Sequence, residues 1–247
     1  MTLLPVLLAV TFLAQTPQQV KIPVTGGQLS YLHSTPPDKR APLLVALPPD
    51  TSEQLVTQTF RAWEKIGGAT GWLIVTPAVA GAGDAAAKAL DLILDDVFQR
   101  LPVDTARVYL AGAGTPDVFY YVSRLPDRFA AALSIQGNPT QAVNSNRLFG
   151  ANTELCPTLW VEPPAAFDMQ RSKMAAAGFR LEERGALKDA QIFEWLAGHA
   201  RDANPPHIDC ESGNPAFGRC HWIEMTRFNP KLRNDVLSST RVNPGSG

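Results

Sequence analysis

The sequence of 247 residues has little charge and little cysteine. Charged residues make up 18% of the chain, and 22 basic side chains nearly balance 23 acidic ones, which gives a formal net charge of −1. This balance offers no basic surface for nucleic acid and no polybasic patch for a membrane. Three cysteines are too few for a scaffold in which disulfides replace a hydrophobic core.

Hydrophobic residues, in contrast, account for 45% of the chain, which together with the low net charge excludes an intrinsically disordered protein. An uncharged apolar run from Leu3 to Leu13 is too short to cross a bilayer as a helix. It predicts a signal peptide over residues 1–15, although no basic residue precedes it, and a buried N-terminal strand or helix is the alternative. A signal peptide implies a secreted or periplasmic protein with no transmembrane span in the mature chain.

Strand-like and helix-like patterns alternate along most of the sequence. A turn at Gly26-Gly27 predicts an N-terminal hairpin. Further strands are predicted at Leu43–Leu47, Trp72–Val75, Val108–Ala111, Ala130–Ile135, Thr158–Val161 and Phe179–Glu182. Helices are predicted at Glu53–Ile66, Ala85–Leu101 with Asp84 as N-cap, Pro116–Arg124, Met169–Ala177 and Ile192–His199. This alternation predicts an α/β domain over residues 20–205, with a mainly parallel sheet and helices on both faces.

Residues 206–247 follow a different pattern. Two β-rich pieces flank Gly213-Asn214-Pro215, which predicts a β-hairpin appended to the α/β domain and followed by a polar tail. Cys210 and Cys220 flank this turn and would face each other across the strands. We expect them to form a disulfide in an oxidising compartment, two unpaired thiols being the alternative, whereas Cys156 is expected to be a small buried hydrophobe.

The segment DTARVYLAGAGTPDVFYYVSRLPDRFAAALSIQG, residues 104–137, resembles the nucleophile-elbow region of the α/β-hydrolases. It is most similar to the branch of secreted esterases, polyhydroxyalkanoate depolymerases and prolyl-oligopeptidase-like enzymes. The matching positions are Asp104, Arg107, Val108, Tyr109, Gly112, Pro126, Asp127, Arg128, Phe129, Ala130 and Ala131. The resemblance covers most of Pro42 to Met225 and implies an α/β-hydrolase fold.

The resemblance also implies a catalytic triad, and the expected residues are missing. Laying the Gly-x-Ser-x-Gly motif on the chain puts Gly114 at the nucleophile position. Thr115 is a candidate for a displaced nucleophile, but it is also a good N-cap for the helix that follows. Asp168 is a candidate for the orienting carboxylate, and a residue at the start of a helix is the alternative. His199 is a candidate base, and a cation at a helix end is the alternative.

The loops around the expected site differ from the family as well. Pro48-Pro49-Asp50 stands where the resemblance implies an oxyanion loop, and proline has no N–H to donate. Residues 162–166 and 183–186 stand where the family places its catalytic Asp and His, and no histidine occurs in the second loop. His33, His199, His207 and His221 all lie elsewhere, and neither a metal-ligand cluster nor a cofactor motif is present.

Three functions fit these observations. We expect a secreted α/β-hydrolase-like protein that has lost catalysis and has a binding or scaffold role. A small molecule or a protein of unknown identity would then occupy the ancestral cleft. The second possibility is an active ester or peptide hydrolase with a displaced nucleophile and base. The third is a structural partner of another envelope protein, because function depends on the site and not on the fold.

Overall fold

The computed structural model describes residues 17–115, 117–144, 149–176, 178–206, 208–227 and 240–242. The predicted signal peptide lies outside the described residues, as do Pro116 and His207. Among the helices of the described part, none has both the length and the apolar composition needed to cross a bilayer.

Eight strands form the central sheet, in the spatial order β1-β2-β4-β3-β5-β6-β7-β8. β1 and β2 form the predicted N-terminal hairpin, and β2 also pairs antiparallel with β4. The other neighbours are parallel, so the predicted mainly parallel sheet is confirmed. The strands are β1 (Gln18–Val24), β2 (Gly27–His33), β3 (Ala41–Leu47), β4 (Leu73–Pro77), β5 (Val103–Ala113), β6 (Ala131–Ile135), β7 (Thr158–Val161) and β8 (Leu181–Arg184).

Helices cover both faces of this sheet, as the sequence predicts. They are α1 (Glu53–Gly67), α2 (Asp84–Arg100), α3 (Asp117–Arg124), α4 (Thr140–Asn144), α5 (Gly150–Glu154), α6 (Asp168–Ala176) and α7 (Asp189–Ala197). Side chains of α1 and α7 pack with Leu44 on one face, and those of α2, α3 and α6 pack with Val45 on the other. Because neighbouring residues of β3 are buried on opposite faces, this strand is apolar throughout.

The start of α2 differs from the prediction. Gly83 is the N-cap, and Asp84 is the first residue of the helix. The Asp84 carboxylate accepts hydrogen bonds from Tyr120 Oη at 2.5 Å, Arg124 Nε at 3.1 Å and Asn214 Nδ2 at 2.9 Å. Asp84 therefore joins α2 to α3 and to the C-terminal part of the chain.

A C-terminal antiparallel hairpin is present, but its turn is not where the sequence predicts it. The hairpin consists of β10 (Arg219–Cys220) and β11 (Ile223–Glu224), with the turn at residues 221–222. The predicted turn at Gly213-Asn214-Pro215 is wrong. Asn214 there accepts a hydrogen bond from the backbone of Ala216 and begins a short 3-10 turn over Pro215–Phe217.

The predicted disulfide between Cys210 and Cys220 is present. It does not bridge the two strands of one hairpin, because Cys210 lies in β9 (Ile208–Cys210), which pairs with β12 (Thr240–Val242). Cys156 is a free, buried thiol, and burial raises its pKa.

Candidate functional site

The turn after β5 stands where the resemblance implies the nucleophile. Gly114 follows the last residue of β5 and has a φ of +67°. Its N–H donates a hydrogen bond to the carbonyl of Ile135 at 2.8 Å. A left-handed φ is strained for a residue with a Cβ but is accessible to glycine without that penalty. The backbone thus makes a sharp turn here, with no side chain on it.

Gly112, two residues before the turn, allows a close approach of α3. A Cβ on Gly112 would lie 2.3 Å from Thr115 Cγ2 and 2.8 Å from Val118 Cγ2. Thr115 is fully buried by this packing, with none of its surface accessible to solvent. Its hydroxyl therefore does not face a substrate in this structure.

The same backbone conformation recurs at the ends of the next two strands. Gln136 follows β6 with a φ of 51°, and Glu162 follows β7 with a φ of 49°. In each turn, the backbone N–H of the left-handed residue donates a hydrogen bond to the carbonyl of the last residue in the neighbouring strand. These bonds, each 2.8 Å long, run from Gly114 to Ile135, from Gln136 to Val161 and from Glu162 to Arg184. Positive φ is uncommon for residues other than glycine and costs about 1–3 kcal/mol.

Gln136 and Glu162 also contact each other through their side chains. Gln136 Nε2 donates a hydrogen bond to Glu162 Oε2 at 3.2 Å, and both residues are exposed. Glu162 directly follows β7, which is where the resemblance implies a catalytic carboxylate. Both residues were missed as candidates from the sequence, where their position immediately after a strand was the available signal.

Asp168, the carboxylate proposed from the sequence, lies apart from this pair. It is the first residue of α6, and its side chain is 77% exposed. Its carboxylate forms an ion pair with Arg171 one turn further along the helix. Arg171 in turn contacts Glu183 Oε1 at 3.0 Å, so Asp168 belongs to a surface charge network.

His199, the candidate base, lies beyond the far end of α7. Its ring lies at 46° to the ring of Trp195 with the centroids 4.3 Å apart, and Nδ1 lies 2.8 Å from the carbonyl oxygen of that residue. α7 has nine residues. Its ends are thus about 14 Å apart, and this separates His199 from the loop after β8. The His199 carbonyl accepts a hydrogen bond from Tyr109 Oη at 2.9 Å, and burial raises the pKa of Tyr109 to about 12.

The other described histidines are also distant from Gly114. His33 is buried in β2 and pairs with Val75 of β4. Val75 pairs in turn with Val45 of β3, and Val45 pairs with Leu110 of β5. Three strand spacings, about 14 Å, separate the backbone of His33 from that of Leu110. His221 lies in the β10–β11 turn, and its N–H donates to Asp127 Oδ2 at 3.0 Å. Because a base must reach its nucleophile, neither histidine can activate a group at the elbow in this arrangement.

A second buried hydroxyl lies close to Thr115. Ser134 is fully buried, and its Oγ makes no hydrogen bond within the described residues. A Cβ on Gly137 would lie 2.0 Å from Ser134 Oγ and 3.1 Å from the Thr115 carbonyl oxygen, which places both residues around Gly137. No group of three His, Cys, Asp or Glu side chains suited to a metal ion occurs in the described ranges.

No family model matches this chain, and no curated protein matches it. Solved structures do match. A Bacteroides ovatus protein described as a dipeptidyl aminopeptidase IV is 13% identical, with a TM-score of 0.55 over 74% of this chain. This chain has the α/β-hydrolase fold. It spans only 36% of that larger protein.

Two smaller proteins share this α/β-hydrolase fold over nearly their whole length. A lipase/esterase of Lactobacillus plantarum is 11% identical, with a TM-score of 0.54 over 74% of this chain and 98% of its own. FphF, a fluorophosphonate-binding serine hydrolase of Staphylococcus aureus, is 11% identical, with a TM-score of 0.53 over 74% of this chain and 97% of its own. Identities this low establish the fold alone, and the activity has to be argued from the site.

Proposed function

We propose that this chain is an α/β-hydrolase-fold protein without serine-hydrolase catalysis, which uses the carboxyl edge of its sheet to bind a ligand or partner. The observation that carries the proposal is Gly114, with its φ of +67° at the end of β5. The turn has the left-handed backbone of an elbow and offers no hydroxyl or thiol to attack a carbonyl. Covalent catalysis needs such a group together with a base within hydrogen-bond reach.

The positions of the histidines support the loss of catalysis. His33 lies three strands from β5, His199 lies at the far end of α7, and His221 lies against Asp127. The fourth, His207, is outside the described residues. A single substitution at the elbow therefore does not rebuild a serine–histidine pair from these three side chains.

Gln136 and Glu162 support a binding role. They hold strained backbone at the edge that also carries Gly114, and their side chains present an amide and a carboxylate to solvent. In open α/β sheets, ligands bind outside the carboxyl ends of the strands. Backbone strain persists where the surrounding structure imposes it, and such positions are concentrated at functional sites. A ligand with N–H or O–H donors would suit this pair.

The proposal includes export from the cytoplasm. The Cys210–Cys220 disulfide supports it, because such bonds form and persist in oxidising compartments. The apolar leader over residues 1–15 supports it from the sequence. This part is tested by expressing the full chain with its own leader and without an N-terminal tag, and by N-terminal sequencing of the exported protein. Retention of Met1 in exported protein would contradict a cleaved signal peptide.

The test of the catalytic proposal is labelling by a fluorophosphonate probe, with FphF as the positive control. We expect FphF to be labelled and this protein to remain unlabelled, with turnover of p-nitrophenyl acetate no faster than in buffer. Thr115 and Ser134 are the hydroxyls that a displaced-nucleophile mechanism could use near the elbow. Stoichiometric labelling that maps to either residue would overturn the proposal and establish the alternative, an active ester or peptide hydrolase.

A further inference from the structure

We propose that a cavity on the side of the molecule away from Gly114 binds a small organic carboxylate through Arg201. The cavity has a volume of about 570 Å³ and lies between α2, the end of α3 and residues 215–225. Its wall includes the segment just before β6, so it opens near the edge where the parallel strands begin. A volume of this size suits a small molecule.

Arg201 is a cation in this cavity without an ion pair. Its Nε and Nη2 donate long hydrogen bonds, 3.3 Å each, to the carbonyl of Thr105, and it forms no salt bridge within the described residues. Burial is the main cause that lowers its pKa, while Asp127 and Asp202 attract it without pairing. A planar guanidinium with unused donors is suited to a carboxylate.

His221 contributes a second unused polar atom. Its Nδ1 is buried and makes no hydrogen bond of ordinary geometry in the part of the chain that the structure describes, although the Ala203 backbone interacts with the imidazole. Its backbone φ of 53° is strained for histidine, and the bond from its N–H to Asp127 Oδ2 helps to hold it there. Arg201 and His221 both line this cavity. Buried polar atoms without partners are rare in native proteins, which points to a missing partner.

The cavity carries charges of both signs, and their balance selects the ligand. Arg128 forms ion pairs with Asp91 at 2.6 Å and with Asp95 at 2.9 Å, and Lys88 adds a contact of 2.8 Å to Asp91. With all charged lining residues counted, five cations face four carboxylates, so a single carboxylate balances the charge of the cavity and a doubly charged phosphate would leave it negative; the lining residues are Lys88, Arg124, Arg128, Arg201 and Arg219 against Asp91, Asp95, Asp127 and Glu224.

An apolar surface completes the cavity. It is formed by Phe98, Leu125, Phe217 and Met225, of which Leu125 and Phe217 are buried members of the main core. Pro215 to Arg219, which form one wall, lie inside the loop that the Cys210–Cys220 disulfide closes. The cavity therefore combines a cation, an imidazole and a small apolar patch in an otherwise polar wall, a set that fits a carboxylate carrying a small ring or alkyl group.

Benzoate is the probe for this proposal, and benzamide is its neutral control of the same shape. Amide NMR spectra of the purified, isotope-labelled protein would follow each titration. We expect saturable benzoate shifts around Arg201 and His221 with a dissociation constant on the order of 1 mM, and binding of benzamide at least about tenfold weaker. Inorganic phosphate should bind more weakly than benzoate.

Variants then assign the site. Arg201→Gln should weaken benzoate binding by about tenfold or more, while Arg61→Gln, on the exposed face of α1, should leave it unchanged. Asp127→Asn should tighten binding severalfold, because it removes a negative charge and keeps an acceptor for the His221 N–H. This opposite effect keeps the proposal testable if Arg201→Gln does not fold.

Four outcomes would overturn the proposal. They are no saturable shift by about 10 mM benzoate, equal binding of benzamide, tighter binding of phosphate, and shifts confined to the Gly114 edge. Each is independent of the catalytic test, since that test concerns labelling at the other edge of the sheet.

Discussion

Gln136 donates a side-chain hydrogen bond to Glu162 over 3.2 Å, and both residues hold a left-handed backbone at the ends of adjacent strands. Gly114 has the same conformation at the end of the strand before them. Of the three turns, only the one at the nucleophile position of the resemblance carries no side chain. This edge of the sheet thus holds two strained side-chain positions beside an elbow that carries no side chain.

Relief of this strain should be measurable at Gln136. Gln136→Gly should raise the free energy of unfolding by about 1 kcal/mol, because relief of about 1–3 kcal/mol exceeds the entropic cost of glycine, about 0.5–1 kcal/mol. Gln136→Ala is the matched control and should not stabilise, because alanine keeps the Cβ. Urea denaturation of the three proteins provides the comparison, and equal stability of the two variants would contradict a strained turn.

The sequence predicted the central sheet well because its signals are local. Thr158–Val161 was predicted with the bounds that the structure has, and the apolar run Leu43–Leu47 falls within β3. A strand buried on both faces produces such a run whatever its neighbours are. The signal for the turn at Gly26 is equally local, because the two strands of a short hairpin are neighbours in the sequence and pair with each other.

The parts that the sequence did not predict depend on distant residues. Asn214 starts a 3-10 turn, and its amide nitrogen donates to Asp84, 130 positions earlier in the chain. The strand at Ile208–Cys210 pairs with residues 240–242 and not with the next β-rich piece. At Gln136 and Glu162, a left-handed φ could not be read from residues that ordinarily avoid it.

Restoring the nucleophile alone should not restore activity. Gly114→Ser should cost about 1–3 kcal/mol of stability through its positive φ alone, since a Cβ there meets no atom within 4 Å. Turnover of p-nitrophenyl acetate should stay at the level of the unmodified protein, because a serine without a base is a weak nucleophile. A robust rate in this variant would show that a histidine reaches the elbow.

Gly112→Ala tests a steric clash, whereas Gly114→Ser tests backbone strain. Its Cβ would lie 2.3 Å from Thr115 Cγ2, so α3 or the strand must move. We expect a greater loss of stability than in Gly114→Ser, beyond the usual overpacking cost of about 1–3 kcal/mol. The denaturation midpoints of the two variants show which loses more stability. A smaller loss in Gly112→Ala than in Gly114→Ser would indicate that the packing around Thr115 is looser than described.

His221 should make stability depend on pH. Burial is the largest cause that lowers its pKa, and the positive charge of Arg201 acts in the same direction, while Asp127, Asp202 and the Ala203 backbone oppose both. The unfolded chain therefore binds a proton more readily than the folded protein. The stability associated with neutral His221 is fully present above the pKa of the unfolded chain, about 6.5. It is lost as the pH falls from there through the lower pKa of the folded protein.

The matched variant for this effect is His221→Asn, because asparagine tolerates a left-handed backbone. Its free energy of unfolding should decline less than that of the unmodified protein between about pH 7 and pH 5, while carboxylates titrate mainly below this window. Urea denaturation at each pH measures the difference. Parallel curves for the two proteins would show that His221 titrates alike in the folded and unfolded states.

The disulfide should stabilise the C-terminal part of the chain and the wall of the Arg201 cavity. Cys210 and Cys220 are ten positions apart, and closing a loop of this length contributes about 2–3 kcal/mol in the chain-entropy model. A double variant, Cys210→Ser with Cys220→Ser, should lose about that much, and reductant should destabilise the unmodified protein but not the variant.

Cys156 is buried and free, so a non-reducing peptide map should show one linked pair and one alkylated cysteine after unfolding. If all three cysteines of exported protein were alkylated without reductant, the bridge would be absent in solution, and the proposal of an oxidising compartment would lose its structural support.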